Sequence, residues 1–155
     1  MSGGVTIRRA VRGDAAAAAA IIEAALAEHG LPFEPEGRDA DVANFGTREE
    51  AHDLVAEDDG AVAGIVSVTS HENPGVAWIS KLFVARQLRR RGIGRALLEA
   101  AHAAARSEGF HTVGLRTRTL FREALALYAA SGYVASSDAD ARALEAGDVV
   151  LYRPL

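Results

Sequence analysis

The sequence has no cysteine among its 155 residues. A disulfide scaffold, a thiolate zinc site, an iron–sulfur cluster and a cysteine nucleophile are therefore excluded. No apolar run reaches the roughly 18 residues of a membrane span, and the longest, residues 15–22, is mostly alanine. The N-terminus also lacks the charged-then-apolar pattern of a secretory signal, so we expect a cytoplasmic protein that binds no membrane.

Lysine is almost missing, because Lys81 is the single lysine beside 16 arginines. The formal net charge is −4, which argues against a general nucleic-acid binder. Residues 86–95 nevertheless contain five arginines and no acid. Such a run is commonly a solvated surface, so it needs a supporting motif before it indicates a binding site.

The remaining composition is that of a globular protein, with 49% hydrophobic and 25% charged residues. A chain of this length buries roughly 70% of its unfolded surface, which is enough for one core. No linker or internal repeat divides it, so we expect a single domain over residues 1–155.

Apolar periodicity and turn residues predict an alternation of strands and helices. A hairpin turn is expected at 58–60, a helix N-cap at Asp14, and a short helix after a capping box of Thr47 and Glu50. Strands are predicted at 5–10, 53–57, 61–69, 76–84, 112–117, 133–136 and 149–152, helices at 15–28, 92–107 and 121–130, and a polar connection at 137–147. Three antiparallel strands followed by a strand–helix–strand crossover predict an α/β protein with a mixed, twisted sheet and helices on both faces.

One segment carries most of the chemistry. The strand that ends at 82–84 leads through the arginine-rich turn into a helix that opens at Gly92 and Gly94. The first turn of a helix has unpaired N–H groups and a partial positive charge, and glycine lets a phosphate approach the backbone. The segment is therefore typical of a pyrophosphate site, but a glycine-loosened helix start with solvated arginines would give the same pattern. It contains no P-loop string, and Leu97 stands where a dinucleotide fingerprint needs its third glycine.

Two strings resemble those of the GNAT superfamily of N-acetyltransferases. Arg89-x-x-Gly92-x-Gly94 is similar to its acyl-CoA signature, [QR]-x-x-G-x-[GA]. Residues 124–133, ALALYAASGY, are similar to its second signature, A-x-x-L-Y-x-x-x-G-[FY]. The pair occurs in the strand–helix order of that family, and the resemblance extends over nearly the whole chain.

The resemblance implies a GNAT-like acyl-CoA N-acyltransferase fold with a mostly antiparallel sheet. It implies direct transfer of an acetyl group from acetyl-CoA, as co-substrate, to a primary amine, without a metal. Tyr128 is then the general acid that protonates the departing thiolate. The implied cofactor-binding residues are Leu82, Phe83, Val84, Arg89, Arg90, Arg91, Gly92, Ile93, Gly94 and Arg95. We expect a small-molecule amine as substrate, no nucleic acid as partner, and a monomer or homodimer.

Four positions, Arg86, Arg90, Arg116 and Phe121, depart from the family's pattern, and the last two bear on the chemistry. Phe121 stands where many members carry asparagine, and Arg116 where some carry a glutamate. The general base therefore stays open among His71, Glu72, Ser80, His111 and a water chain. The acceptor site is expected in loop 29–47, whose acids Glu34, Glu36, Asp39 and Asp41 would attract a cationic amine.

Three alternatives stand beside this function. One is a non-catalytic acyl-CoA-binding or sensor domain on the same fold, which would not need Tyr128. Another is a transferase that uses a different acyl-CoA, or one that acts on a protein N-terminus or lysine. The third is an RNA-binding module, which would rest on residues 86–95 alone and lacks interleaved aromatic residues for base stacking.

Overall fold

The structure is a computed structural model that describes residues 4–136 and 147–155. Its strands and helices follow the predicted order closely. The strands are β1 (Val5–Arg9), β2 (His52–Asp58), β3 (Ala61–Ser70), β4 (Val76–Val84), β5 (Thr112–Arg118), β6 (Val134–Ala135) and β7 (Asp148–Pro154), and the α-helices are α1 (Ala15–Ala27), α2 (Ile93–Ser107) and α3 (Arg122–Ala130). Of the connection predicted at 137–147, residues 137–146 lie outside the described chain.

The seven strands form one sheet in the order β1-β2-β3-β4-β5-β7-β6. All neighbouring strands are antiparallel except β4 and β5, which run parallel because α2 crosses between them. The predicted mixed, mostly antiparallel sheet is therefore confirmed. No helix in the described part of the chain is long and apolar enough to cross a membrane.

Helices cover both faces of the sheet, as predicted. α2 and α3 pack with Val66, Ile79 and Val113 on one face, where Leu97 is fully buried. At Gly64 an added Cβ would lie 2.9 Å from the Leu97 side chain, so glycine lets α2 lie close to the sheet. α1 packs on the other face with a 3₁₀ turn at Ala40–Asn44 and with Ile65. These two layers form the two apolar clusters of the core.

Several local predictions are settled by the backbone. The hairpin turn between β2 and β3 is confirmed, because Asp59 and Gly60 have φ angles of 51° and 79°. The N-cap role of Asp14 is wrong: its carboxylate accepts hydrogen bonds from the Arg8 guanidinium at 2.9 and 3.0 Å and from the Val11 N–H at 2.8 Å. The short helix after Thr47 is wrong too, since residues 47–51 form turns before β2 begins.

A buried polar network joins α2 to the far end of the sheet. The Arg153 guanidinium on β7 donates to Nδ1 of His102 at 2.8 Å, and His102 is 3% exposed. Nε2 must then carry the imidazole proton, which it donates to the Tyr133 hydroxyl at 2.6 Å. Burial, aided by the positive charges of Arg153 and Arg106, lowers the pKa of His102 to about 4.

This network makes the protein sensitive to mild acid. A histidine whose pKa falls from 6.5 to about 4 on folding stabilises the native state above pH 6.5, and that contribution is lost as the pH falls towards 4. We expect the His102-dependent part of the unfolding free energy to drop by about 2 kcal/mol between pH 7 and pH 5. Urea unfolding at both pH values should show this drop, and His102→Gln should abolish it.

The exposed His111 offers a matched control. His111→Gln should keep the pH dependence of the wild-type protein. An equal loss of stability between pH 7 and pH 5 in His102→Gln and wild type would contradict the assignment.

Candidate active site

The parallel pair β4 and β5 separates halfway along its length. The two strands are in register from Val76, opposite Thr112, to Ile79, opposite Leu115, and no pairing follows in the described chain. A bulge lies just beyond this point, because Val66 of β3 stands opposite two residues of β4, Lys81 and Leu82. A bulge bends its strand, so β4 turns away from β5 and leaves the edge of residues 80–84 open.

The separation opens a cleft of about 910 Å³. Its walls are the carboxyl-terminal halves of β4 and β5, the first turn of α2, the inner face of α3 and the end of α1. Among the predicted site residues, the lining includes Leu82, Phe83, Val84, Arg89, Arg90, Gly92, Ile93, Gly94, Arg95 and Tyr128. Arg91 does not line the cleft; its guanidinium lies 3.3 Å from the Asp58 carboxylate at the β2–β3 hairpin.

The first turn of α2 has the shape expected of an anion site. Gly92 precedes the helix with a φ of 79°, and a Cβ built there meets no atom within 4 Å. At Gly94 an added Cβ would make ordinary contacts of 3.6 Å with Val84 and Leu127. Protein packing thus leaves open space beside N–H groups that no helical carbonyl accepts, which fits a phosphate group.

The arginines of this turn divide into two sets. Arg89 donates to both Glu28 carboxylate oxygens, at 2.7 and 2.8 Å, and to the Val84 carbonyl at 3.0 Å. This contact lowers the pKa of Glu28 and fastens the turn to the end of α1. Arg90 lines the cleft with no ion pair to another described residue, and Arg95 makes an exposed contact with Glu99 on its own helix. Arg90 and Arg95 therefore offer positive charge to a ligand.

Tyr128 lies on α3 and reaches the inner wall of the cleft. It is 6% exposed, and burial raises the pKa of its phenol to about 12. Its ring packs edge-on against Tyr133, with ring centroids 5.6 Å apart, and Tyr133 is held in turn by His102. The phenol is therefore fixed in place and protonated at any physiological pH, as a proton donor must be.

The four side chains proposed as bases lie at two ends of the strands. Ser80 lines the cleft. His71 and Glu72 lie in the β3–β4 turn, and the His111 N–H donates to the Gly75 carbonyl where β4 and β5 begin. The cleft opens at the carboxyl-terminal ends of these parallel strands. His71, Glu72 and His111 therefore lie at the other end of the strands, away from the cleft.

The sequence does not reveal that α1 reaches this cleft. Leu26 and His29 at its end join the lining, and the His29 ring meets Phe121 edge-on with centroids 4.9 Å apart. Arg38 and Arg118 also line the cleft. These residues come together through the packing of α1 on the sheet, and no spacing within the sequence signals a contact between positions 29 and 121.

The chain belongs to the GNAT family of acetyltransferases, because the model of the acetyltransferase (GNAT) family matches residues 18–133. The resemblance drawn from the two signatures is thereby confirmed. Among curated proteins, no sequence matches the chain significantly.

Solved structures show the same fold. The chain is similar to an acetyltransferase of the GNAT family from Staphylococcus aureus Mu50, with a TM-score of 0.84, 17% identity, and 97% of this chain and 99% of that chain covered. It is similar to the PaiA N-acetyltransferase of Thermoplasma acidophilum in complex with coenzyme A, with a TM-score of 0.76, 13% identity and coverage of 99% and 100%. It is also similar to the ribosomal-protein-alanine N-acetyltransferase of Brucella melitensis, with a TM-score of 0.74, 23% identity, and 97% of this chain and 99% of that chain covered.

An acidic side chain at Gly92 tests the first turn of α2 as the binding site for the coenzyme's pyrophosphate. Gly92→Asp places a bulky group and a negative charge in the open space beside the helix N-terminus. We expect calorimetric affinity for acetyl-CoA to fall more than tenfold, or about 1.4 kcal/mol.

Gly109→Asp is the matched control. Gly109 follows the other end of α2 with a φ of 88° and equally open surroundings, so aspartate there imposes the same backbone strain and the same charge. Its affinity for acetyl-CoA should stay at the wild-type value. Equal affinities in the two folded variants would remove the pyrophosphate from this turn.

Proposed function

We propose that the protein transfers an acetyl group from acetyl-CoA directly to the primary amine of a small molecule. The observation that carries this proposal is a single cleft through the open edge of β4, with the helix N-terminus of α2 and the Tyr128 phenol in its walls. Membership of the GNAT family supports it independently.

The cleft gives access from both faces of the sheet. Ile79 and Leu115 point towards α2 and α3, because they belong to the apolar cluster of that face. Side chains alternate along a strand, so Ser80 and Arg116 point towards the α1 face. A donor bound beside α2 and an acceptor entering beside α1 can therefore meet at the gap between the strands.

The open edge of β4 suits the extended arm of coenzyme A. An extended chain can add to a free strand edge through main-chain hydrogen bonds, and residues 80–84 offer such an edge. The Val84 carbonyl already accepts a hydrogen bond from Arg89. The arm of coenzyme A would therefore pair with the carbonyl groups of the residues before Val84. The phosphates would then lie against the first turn of α2, close to Arg90 and Arg95.

Acetyl-CoA, when bound, supplies a thioester carbonyl that an amine can attack. Those N–H groups of residues 82–84 that face away from β3 can donate to the carbonyl oxygen as negative charge develops there. Tyr128 holds the proton that the departing sulfur needs. A free thiol has a pKa of about 8.5, so donation from this phenol has to accompany C–S bond cleavage and the developing charge on sulfur.

A small acceptor is favoured by the contact between His29 and Phe121. This edge-on pair joins the end of α1 to the start of α3, and both residues line the cleft. A protein N-terminus or lysine would need an open approach for the flanking polypeptide. A non-catalytic acyl-CoA-binding domain is disfavoured because it has no use for a phenol in the cleft wall.

The direct test is acetyl transfer itself. The protein is incubated with acetyl-CoA and a panel of small amines, and free thiol is followed with time. Amine-dependent thiol release and an acetylated amine in the mass spectrum are expected. Acetyl-CoA binding without transfer to any amine or peptide would favour the non-catalytic alternative instead.

Tyr128→Phe removes one hydroxyl and retains the ring, so the packing against Tyr133 should survive. General acid catalysis typically contributes a factor of 10² to 10⁴, and we expect kcat to fall by about that factor. KM for acetyl-CoA should change little, because the hydroxyl acts mainly in the transition state. Steady-state kinetics under conditions where the chemical step limits the rate will show this pattern.

Tyr133→Phe is the control for this variant. It also removes a phenol hydroxyl from the same region, but Tyr133 bonds to His102 and does not line the cleft. Its kcat should stay within a few-fold of wild type. Wild-type kcat in Tyr128→Phe would leave Tyr128 with a packing role only.

A further inference from the structure

We infer that the acceptor amine also carries a carboxylate, and that Arg38 and Arg116 bind this carboxylate on the α1 side of the cleft. The inference rests on the proposed acetyl transfer and names the chemical class of its acceptor. It starts from the charges that the structure brings to this side of the sheet.

Arg116 lies on the half of β5 that has separated from β4. It follows Gly114 by two residues and so points to the same face, where a Cβ at Gly114 would contact Trp78 and Tyr152. That face is the one that α1 covers, because Trp78 pairs with Thr69 on the same face as Ile65. Arg116 is exposed and lines the cleft.

Arg38 approaches the cleft from the opposite wall. It belongs to the connection between α1 and the 3₁₀ turn at Ala40–Asn44, which packs on the same face. Its side chain is exposed and lines the cleft, and it forms no ion pair with another described residue. Two guanidinium groups thus border the acceptor side from two elements.

Three aspartates of this side already have partners. Asp41 binds Lys81 at 2.5 Å and lies 3.9 Å from Arg48. Asp39 accepts the Glu34 N–H at 2.8 Å, and Asp148 lies 3.8 Å from Arg118. The predicted attraction of a cationic amine by loop acids therefore has little support, since Asp39 alone of the four predicted acids lines the cleft.

A carboxylate on the acceptor would be complementary in charge to the guanidinium groups of Arg38 and Arg116. The planar guanidinium group binds carboxylates through paired, charge-assisted hydrogen bonds, and two such groups would fix the orientation of the acceptor. A purely cationic amine would instead meet like charge at Arg38 and Arg116. The phosphates of the donor are served on the other face, by Arg90 and Arg95.

Matched pairs of acceptors test the inference. Each α-amino acid of a panel is compared with its own carboxamide, which retains the amine and loses the negative charge. We expect kcat/KM to be at least tenfold higher for the acids, mainly through a lower KM. The carboxamide has the less basic amine and is more often neutral, so amine basicity alone favours the opposite result.

The two arginines are then removed singly. Arg38→Ala and Arg116→Ala should each raise KM for the preferred acid at least tenfold, while KM for its carboxamide and the calorimetric affinity for acetyl-CoA stay unchanged. Arg106→Ala is the matched control, since Arg106 is exposed in the last turn of α2 and does not line the cleft. Its KM values should equal those of wild type.

Three outcomes would overturn the inference. They are equal or better acetylation of the carboxamides, an unchanged KM for the acid in both arginine variants, and no acetylation of any amino acid by a protein that binds acetyl-CoA. The first two leave acetyl transfer standing. Failure to bind acetyl-CoA at all would instead count against the proposed function.

Discussion

The cleft depends on one irregularity, the bulge at which β4 leaves β5. Lys81 has a φ of 57° there, a conformation that costs an L-residue of this type about 1 kcal/mol or more. The surroundings hold it: β3 pairs on both sides of the bulge, and the Lys81 ammonium is bound by Asp41. A regular β4 would stay paired with β5 to its end, and the free strand edge, the access from both faces and the space between the helices would all disappear.

Charge is distributed so that an acidic protein has a basic cleft. The net charge of −4 does not indicate this, because it counts acidic and basic residues without regard to where they lie in the fold. Glu28, which lines the cleft, is bound by Arg89. That pair does structural work, since it fixes the β4–α2 turn to α1 and leaves Arg90 and Arg95 to meet an anion.

The sequence predicted the features that arise from neighbours along the chain. The order of elements, the hairpin at Asp59 and Gly60 and the glycine-opened helix α2 all follow from local residue preferences, and two spaced signatures identified the family. The sequence did not predict features that depend on contacts between residues far apart along the chain. The bulge at Lys81 occurs without glycine, the contact of His29 with Phe121 joins positions far apart, and Asp14 binds Arg8 where local preference predicts a helix cap. At Lys81 and Asp14, tertiary contacts outweigh a local preference of about 1 kcal/mol.

In the proposed reaction, the site combines a weak acid, the Tyr128 phenol, with no evident carboxylate base among the described residues, and these two features are consistent with each other. A phenol with a pKa near 12 keeps its proton until negative charge develops on sulfur, so it neither protonates the incoming amine nor depends on pH in the physiological range. The acceptor must lose its own proton first. Cationic neighbours such as Arg38 and Arg116 favour that loss, because like charge destabilises an ammonium and lowers its pKa. In a cleft lined by arginine, the acceptor ammonium can thus lose its proton to water alone. A carboxylate on the acceptor would hold the acceptor in the cleft while the proton is lost.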